Sequence, residues 1–371
     1  MTTSSNIDKF SDIRPYNDQE IQPAIKRVIN NDEFIDAILS FRFPRLSKHL
    51  GFILKPLLRR YFLYKWGSIN SIDKMQEVVG VYVQHMIDST TSQFTYSGLD
   101  NLDPTQNYLF VSNHRDIAMD PSFVNWALYS EKFKTVRIAI GDNLLSKPYV
   151  SDLMRMNKSF IVKRSVTGVR EMMKSLSHLS DYIATSLKED SSIWIAQREG
   201  RAKDGFDKTE PAIIKMFYVH GKKQKIPFAE YIQSLNIVPV SVSYEFDPCD
   251  QQKARELYEK AESGEYNKSE FEDIESIVSG IVGQKGHVHV AFGEPLSGTF
   301  ESADDVAEEI DAQIYKNYYL HPSNLIAAEQ DVDNLSTQDI NTFKARIQAI
   351  SPELQEMVLK MYANPVRHHT S

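Results

Sequence analysis

A histidine and two aspartates stand close together directly after a predicted strand, a common place for acid–base chemistry. The strand is Tyr108–Val111, and His114, Asp116 and Asp120 follow it. A carboxylate that holds one imidazole nitrogen leaves the other free to accept a proton near neutral pH. The sequence therefore predicts an oriented general base, with Asp120 or Asp116 as its partner.

The same aspartates also have a structural interpretation. Asp120 precedes Pro121, and an aspartate followed by proline is a common helix start, with the carboxylate as the N-cap. Either carboxylate can therefore serve as a cap. His114-Arg115-Asp116 also matches the His-Arg-Asp of the protein-kinase catalytic loop. The kinase class is excluded because the chain has neither the glycine-rich loop upstream nor Asp-Phe-Gly downstream.

Two basic groups follow other predicted strands. The run Gln197-Arg198-Glu199-Gly200-Arg201 comes directly after Ile193–Ala196, and Lys163-Arg164 comes directly after Phe160–Val162. Arginine binds phosphate oxygens through two parallel hydrogen bonds, and glycine allows close approach of the backbone. These runs predict a phosphate site, with a solvated charged loop as the open alternative.

A fourth feature is the apolar strand Ile237–Val240, which contains Pro239. Proline donates no hydrogen bond to a neighbouring strand, so this pattern predicts an edge strand or an irregularity of the sheet.

In this order and at these intervals, the four features resemble the glycerolipid acyltransferase family. That family includes the glycerol-3-phosphate and 1-acyl-glycerol-3-phosphate acyltransferases. The resemblance spans about residues 94–298. It implies an α/β fold in which helices flank a mixed sheet, here with helical N-terminal and C-terminal additions. It also implies a direct acyl transfer in phospholipid synthesis.

The reaction implied by the resemblance moves a fatty acyl group from a thioester, acyl-CoA or acyl carrier protein, to a hydroxyl. The acceptor is 1-acyl-glycerol-3-phosphate (lysophosphatidic acid) or glycerol 3-phosphate. No cofactor is implied beyond this thioester co-substrate. Two alternatives stay open: acylation of another lipid or hydroxylated acceptor, and a catalytically inactive protein of this fold that binds lipid or membrane.

The resemblance also implies roles for individual residues. His114 corresponds to the catalytic base and Asp120, or else Asp116, to its partner, although five residues separate His114 from Asp120 where the family has four. The residues implied in substrate binding are Asn113, Arg115, Arg164, Arg198, Glu199, Gly200, Arg201 and Pro239.

No metal-ligand spacing is evident. His287 and His289 alternate on one predicted strand, which places both rings on one face, but no third ligand is near them in the sequence. We therefore interpret them as strand-surface residues and predict no metal site.

Three regions position these residues. Residues 1–90 have helical periodicity, as in Gln22–Leu39 and Ile72–Ile87, residues 91–298 alternate strands with helices, and residues 299–371 are helical again. We predict an acyltransferase domain at 91–298 between two helical additions. The charged segment Ala254–Ile281 is predicted to be a helical insertion before the last strand.

The segment Phe41–Trp66 carries seven basic residues, seven aromatic residues and no acidic residue. Pro44 and Pro56 predict that it forms short helices. A cationic, aromatic, amphipathic stretch is typical of helices that lie in a membrane interface, which we favour over packing against the catalytic domain.

The overall composition limits the other partners. The chain has 42 Lys and Arg against 50 Asp and Glu, a net charge of −8 that argues against nucleic acid. A single cysteine, Cys249, excludes an internal disulfide. Residues 1–6 lack the apolar run of a secretory signal, and no stretch of 18 apolar residues exists. We expect a cytoplasmic protein associated peripherally with the inner face of the membrane.

Overall fold

The computed structural model describes residues 8–189, 191–269 and 272–369, so the polar start at residues 1–6 lies outside the described residues. These residues form fifteen α-helices and seven strands. The chain divides into two compact units. One consists of the residues up to Tyr82 together with Arg137–His178, and the other of Val83–Val136 and the residues from Leu179 onward. The predicted division at residues 90 and 298 stays a prediction.

The first unit is mainly helical and contains one pair of parallel strands. Its elements are α1 (Asp18–Asn30), α2 (Asp32–Arg42), α3 (Pro44–Trp66), the first part of α4 (Ile72–Thr90), β3 (Arg137–Gly141), α6 (Pro148–Met156), β4 (Ser159–Val162) and the first part of α7 (Val169–Lys188).

Helix α3 is continuous, so the prediction that Pro56 breaks the segment was wrong. Pro44 stands at the first turn, where a missing N–H costs nothing. Pro56 removes only one internal hydrogen bond. The helix continues because its inner face is held: Phe62 is buried in the core that α3 shares with α1 and α2, and Leu54 and Leu58 pack against it.

The outer face of α3 is exposed. Lys55 pairs with Asp36, and Arg59 with Asp32, at 2.8 and 2.7 Å, so two of the seven basic residues bind α2. The side chains that point away from the core include Phe52 and Tyr64, which are 77% and 82% exposed. Within the described residues no helix is both long enough and apolar enough to span a membrane.

The second unit contains five strands in the order β1-β7-β6-β2-β5, and helices precede and follow them along the chain. The strands are β1 (Thr91–Ser97), β2 (Leu109–Ser112), β5 (Ile193–Ala196), β6 (Ile237–Tyr244) and β7 (Gly286–Phe292). The helices are the second parts of α4 and α7, then α5 (Met119–Ser130), α8 (Pro211–Lys223), α9 (Phe228–Ser234), α10 (Asp250–Ser263), α11 (Glu272–Val282), α12 (Ala303–Asn317), α13 (Pro322–Ala328), α14 (Thr337–Gln348) and α15 (Pro352–His369).

The sheet is mixed, which confirms the predicted fold class. Strand β2 pairs in parallel with β5 and β6, β1 pairs in parallel with β7, and β6 and β7 are antiparallel. Because β2, β5 and β6 run in the same direction, the loops that follow them meet at one edge of the sheet. Ser112 is level with Val240, so β6 extends four residues beyond the end of β2.

Strand β6 is paired on both sides, so the prediction of an edge strand from Pro239 was wrong. Val111 of β2 is level with Pro239, whereas the β7 pairing reaches only Val240 opposite Phe292. The Pro239 carbonyl accepts from the Gly293 N–H at 2.8 Å. The N–H and C=O of a strand residue point to the same neighbouring strand. The N–H that Pro239 lacks would therefore face the β7 side, just beyond the last β6–β7 residue pair.

Two other predicted boundaries also change. The segment Ala254–Ile281 is two helices, α10 and α11. Within the predicted helical region at 299–371, α14 and α15 are likewise separate helices, because Pro352 begins the second one. Helices α10, α14 and α15 share a core around Phe343, Val358 and Tyr362.

Candidate active site

His114 and Asp120 form a hydrogen-bonded pair in the loop after β2. His114 Nδ1 lies 2.8 Å from Asp120 Oδ2. The histidine side chain is 14% exposed, whereas Asp120 is fully buried. The imidazole lies edge-on to Trp194 of β5, with ring centroids 5.7 Å apart. No described residue bonds His114 Nε2, so the pair can hold one nitrogen and present the other.

The loop backbone shapes itself around the Asp120 carboxylate. Its Oδ2 accepts from the N–H groups of Arg115 and Asp116 at 2.6 and 2.9 Å, in addition to His114. Its Oδ1 accepts from the Tyr244 hydroxyl at 2.6 Å. Both oxygens of this buried carboxylate therefore have donors, which compensates the loss of water around it.

Asp116 has the other role that the sequence left open. Its Oδ1 accepts from the N–H groups of Ala118 and Met119, at 3.0 and 2.9 Å, at the start of α5. Asp116 thus caps the helix, and Asp120, at the second helical position, faces His114. The His114–Asp120 contact therefore forms in this chain with five residues between the two.

Burial raises the pKa of the Asp116 carboxyl, and the charge of Asp120 raises it further. Its second oxygen is buried without a hydrogen-bond partner in the described chain. A carboxyl in this setting holds a proton more readily than an exposed one. The two aspartates therefore differ in hydrogen bonding: both oxygens of Asp120 accept hydrogen bonds, whereas Asp116 Oδ2 accepts none from the described chain.

Two of the predicted substrate-binding residues bind other parts of the chain. Asn113 is fully buried, and its amide exchanges hydrogen bonds with the backbone of Val242, at 2.7 and 3.0 Å. The Arg115 guanidinium pairs with Asp207 at 2.5 Å and lies over the ring of Tyr318. Both side chains thus bind the loop after β2 to other parts of the chain, and their contact with substrate stays a prediction.

The predicted phosphate-binding run at 197–201 lies beside the loop that carries His114. The N–H of Ala202 donates to the carbonyl of His114 at 3.0 Å. Arg201 contacts Ser276 of α11 at 3.3 Å, and Arg198 contacts Glu210 at 3.6 Å. Arg201 Nη1 and Arg198 Nε are buried without a partner within residues 8–189, 191–269 and 272–369.

Two residues of the run at 197–201, Glu199 and Gly200, are exposed. Glu199 and Gly200 lie at its tip. Gly200 has a φ of +74°, a left-handed conformation that favours glycine. This turn lies between Arg198 and Arg201.

Arg164 belongs to the first unit, where it follows β4. Its side chain packs against Gly141 at the end of β3, and its N–H donates to Asp142 at 3.0 Å. The glycine that the family places before this strand is replaced here, and Lys158 takes a left-handed φ of +61° at that turn.

Helices α10 and α11 contact the loop that follows β2 and carries His114. The sequence predicted no such contact for this charged insertion. Lys253 of α10 is buried and donates to the Arg115 carbonyl at 2.7 Å, and it also pairs with Asp247. Gly280 of α11 packs against the Asp116 carboxyl group. The lysine is the only basic residue of α10 in contact with this loop among those described, and nothing in its spacing distinguished it.

The two strand histidines are not surface residues as predicted. His287 and His289 are half-buried, and both contact the Thr95 hydroxyl, at 2.6 and 2.7 Å. The buried ring of His321 lies 5.0 Å from that of His287, centroid to centroid. Nevertheless, no group of three or more His, Cys, Asp or Glu in the described part of the chain has the arrangement of a metal site.

Comparisons with known proteins give a match over the residues that include this site. Residues 93–243 match the family model described as Acyltransferase. Four solved chains match, among them the crystal structure of the 1-acyl-sn-glycerophosphate (LPA) acyltransferase PlsC from Thermotoga maritima. That match has 16% sequence identity and a TM-score of 0.36, and it covers 79% of this chain and 91% of PlsC. A search of curated proteins gives no match.

The family match confirms the resemblance predicted from the motifs over residues 93–243, the domain that the family model matches. The His114–Asp120 pair and the loop at 197–201 both lie within this domain.

Proposed function

We propose that this protein transfers a fatty acyl group from a thioester, acyl-CoA or acyl carrier protein, to a hydroxyl of 1-acyl-glycerol-3-phosphate or glycerol 3-phosphate. The observation that carries the proposal is the 2.8 Å contact between His114 and Asp120 at the edge of the sheet where the arginine loop also lies. An acyl transfer to a hydroxyl needs a general base, and this pair has the geometry of one.

In the proposed reaction His114 Nε2 removes the proton of the acceptor hydroxyl as its oxygen attacks the thioester carbonyl. Asp120 keeps the Nδ1–H tautomer and stabilises the imidazolium that forms. The tetrahedral intermediate collapses with cleavage of the C–S bond, which yields the ester and a thiolate. The thiolate takes the proton from His114 or from water, because a thiol with a pKa of about 8.5 leaves without a strong acid.

The two arginines after β5 supply the proposed phosphate contact. One N–H donor of each guanidinium, Arg201 Nη1 and Arg198 Nε, is buried without a partner among the described residues, and such a donor costs free energy that a bound anion would offset. Phosphate held there positions the hydroxyl next to His114, so binding energy is converted into rate. Glu199, an anion, is assigned to the glycerol hydroxyl or to an arginine.

The acceptor that we favour is the lipid, 1-acyl-glycerol-3-phosphate, because α3 has a surface suited to a membrane. Four of its six basic residues are exposed, and so are the aromatic rings of Phe52, Tyr61 and Tyr64. Basic residues attract anionic headgroups, and aromatic rings insert at the level of the headgroups. We propose that this face binds the membrane in which the acceptor resides.

The test measures thiol release from acyl-CoA, with and without lysophosphatidic acid, for the wild type and His114→Ala. We expect release that depends on the acceptor and falls by roughly 10²–10⁴-fold in the variant. The matched control is His220→Ala, which removes another histidine paired with an aspartate, Asp181, at 2.8 Å. Equal release by wild type and His114→Ala would refute the proposal.

Replacing the acceptor separates the two alternatives. Release with glycerol or a monoacylglycerol at the rate found with lysophosphatidic acid would indicate another hydroxylated acceptor. Lipid binding without any thiol release from acyl-CoA or acyl carrier protein would indicate an inactive lipid-binding protein.

A further inference from the structure

The Tyr244 hydroxyl is bonded to the partner of the proposed base. Tyr244 is the last residue of β6, and its oxygen donates to Asp120 Oδ1 at 2.6 Å. This is the Asp120 oxygen opposite the one that faces His114. A tyrosine 124 positions away from Asp120 in the chain thus contacts the histidine–aspartate pair from behind.

The position of Tyr244 is fixed by the sheet and by the core. Strand β6 extends four residues past the level of Ser112, which brings its end alongside the loop that carries His114. The Tyr244 ring is buried and lies edge-on to Phe123 of α5, with centroids 5.7 Å apart. Since Asp120 is on the same helix, the ring and the carboxylate are held by the same packing.

The phenol is retained as a donor across the physiological pH range. Burial raises the pKa of Tyr244 well above its ordinary value, and the charges of Asp120 and Asp116 raise it further. An ionised carboxylate only accepts hydrogen bonds, so the neutral phenol of Tyr244 is the donor to Asp120. Without this hydroxyl, Asp120 Oδ1 would be a buried oxygen with no donor.

We propose that Tyr244 is a positioning residue that sets how tightly His114 holds a proton. The hydroxyl draws negative charge from Asp120, so the carboxylate stabilises the imidazolium less strongly and His114 is free to act as a base at lower pH. The hydrogen bond also fixes the carboxylate plane, and with it the orientation of the imidazole. This inference rests on the proposed function of His114 as general base.

A purely structural role for Tyr244 makes a different prediction. A tyrosine that only fills the core affects stability and, through it, the amount of active protein. It leaves unchanged the pH at which the base becomes competent. The pH profile therefore separates the two roles.

The experiment compares kcat/KM for thiol release against pH in the wild type and Tyr244→Phe, which keeps the ring and removes the hydroxyl. We expect the acidic limb to move upward by roughly 0.5–1 pH unit and the plateau to fall by roughly 3- to 30-fold. The matched control is Tyr362→Phe, because Tyr362 is another buried tyrosine bonded to a buried aspartate, Asp250, at 3.0 Å. The control is expected to keep the wild-type limb. An unshifted limb in Tyr244→Phe would overturn the inference.

A second variant keeps the test decisive if Tyr244→Phe fails to fold. Replacement of Tyr244 by 3-fluorotyrosine preserves the shape and strengthens the donor, so it should move the acidic limb to lower pH. No movement would overturn the inference.

An NMR titration separates failure of the inference from failure of the proposed function. The imidazole of His114 is followed in the wild type and in Tyr244→Phe without any substrate. A higher titration midpoint in the variant supports the inference even if no acyl transfer is detected, whereas equal midpoints contradict it even if transfer is observed.

Discussion

Gly280 of α11 lies against the carboxyl group of Asp116, so that a Cβ at position 280 would overlap Asp116 Oδ2. Asp116 cannot move away freely, because it is buried and its other oxygen caps α5. The helix of an insertion that looked merely charged in sequence is therefore in close contact with the loop that carries His114.

Gly280→Ala is expected to disturb this loop. The added methyl group displaces the Asp116 carboxyl, which should lower the free energy of unfolding by about 1–3 kcal/mol and also lower kcat. Urea unfolding and thiol release measure the two effects. Gly51→Ala is the control, since a Cβ there meets nothing within 4 Å and should be neutral or slightly stabilising. A fully active, fully stable Gly280→Ala protein would contradict the expected contact.

Asn substitutions at the two aspartates are expected to affect kcat to very different extents. Asp120→Asn removes the charge that stabilises the imidazolium, and it should lower kcat by roughly 10²–10⁴-fold. Asp116→Asn keeps the oxygen that caps α5 and should retain most activity. Steady-state kinetics decide between them, and loss of activity in Asp116→Asn alone would assign the partner role to Asp116.

The stability of Asp116→Asn should depend on pH in a defined direction. Burial raises the pKa of Asp116, so above the unfolded value of about 3.9 the folded chain binds more protons than the unfolded chain. The contribution of Asp116 to folding therefore becomes less favourable as pH rises through this window. Relative to wild type, Asp116→Asn should gain stability between pH 4 and 7 in urea unfolding, and a constant difference would refute the prediction.

Arg201→Ala is expected to weaken binding of the phosphate-bearing acceptor. Loss of a charge-assisted hydrogen bond should raise KM for lysophosphatidic acid by roughly 10- to 100-fold, with a smaller effect on an acceptor that lacks phosphate. The comparison uses thiol release at varied acceptor concentration. Arg255→Ala, at an exposed arginine of α10, is the control. An equal rise in KM for both acceptors would argue against a phosphate contact.

Phe52→Ser is expected to weaken binding to vesicles that contain anionic lipid, because it removes an exposed ring from the outer face of α3. Co-sedimentation with vesicles measures the effect, and binding should fall several-fold and decrease with salt. Tyr129→Ser, which removes an exposed ring on α5, is the control. Wild-type binding that is independent of both anionic lipid and salt would contradict the proposed membrane face.

The buried histidines should make the fold sensitive to acid. Burial lowers the pKa of His289 to about 4 and that of His321 to about 3, with further lowering by His287. Unfolded histidines bind protons near pH 6.5, so between about pH 6.5 and 4 the unfolded chain binds more protons and stability falls as pH falls. His289→Gln should reduce this loss by about 1–2 kcal/mol at pH 4.5, measured by urea unfolding, whereas the exposed control His49→Gln should not.

Much of the fold could be predicted from sequence because strands, helix starts and the residues at strand ends depend on local interactions. The predicted strands that precede the motifs, the mixed α/β class and the acyltransferase resemblance all follow from patterns within a few residues. Local rules were wrong where tertiary packing overrides them. Pro56 stays inside α3 because the helix face is held by a core, and Pro239 lies in a central strand because its missing donor falls where the ladder ends.

The sequence by itself determined that His114 has a carboxylate partner and that arginines follow β5. Only the tertiary structure decided that Asp120 faces the histidine while Asp116 caps α5. It alone brought in the distant residues Tyr244, Lys253 and Gly280. The physical reason is that hydrogen-bond partners of a buried carboxylate depend on which strands and helices become neighbours. That choice is made by the packing of the whole sheet, and spacing along the chain does not record it.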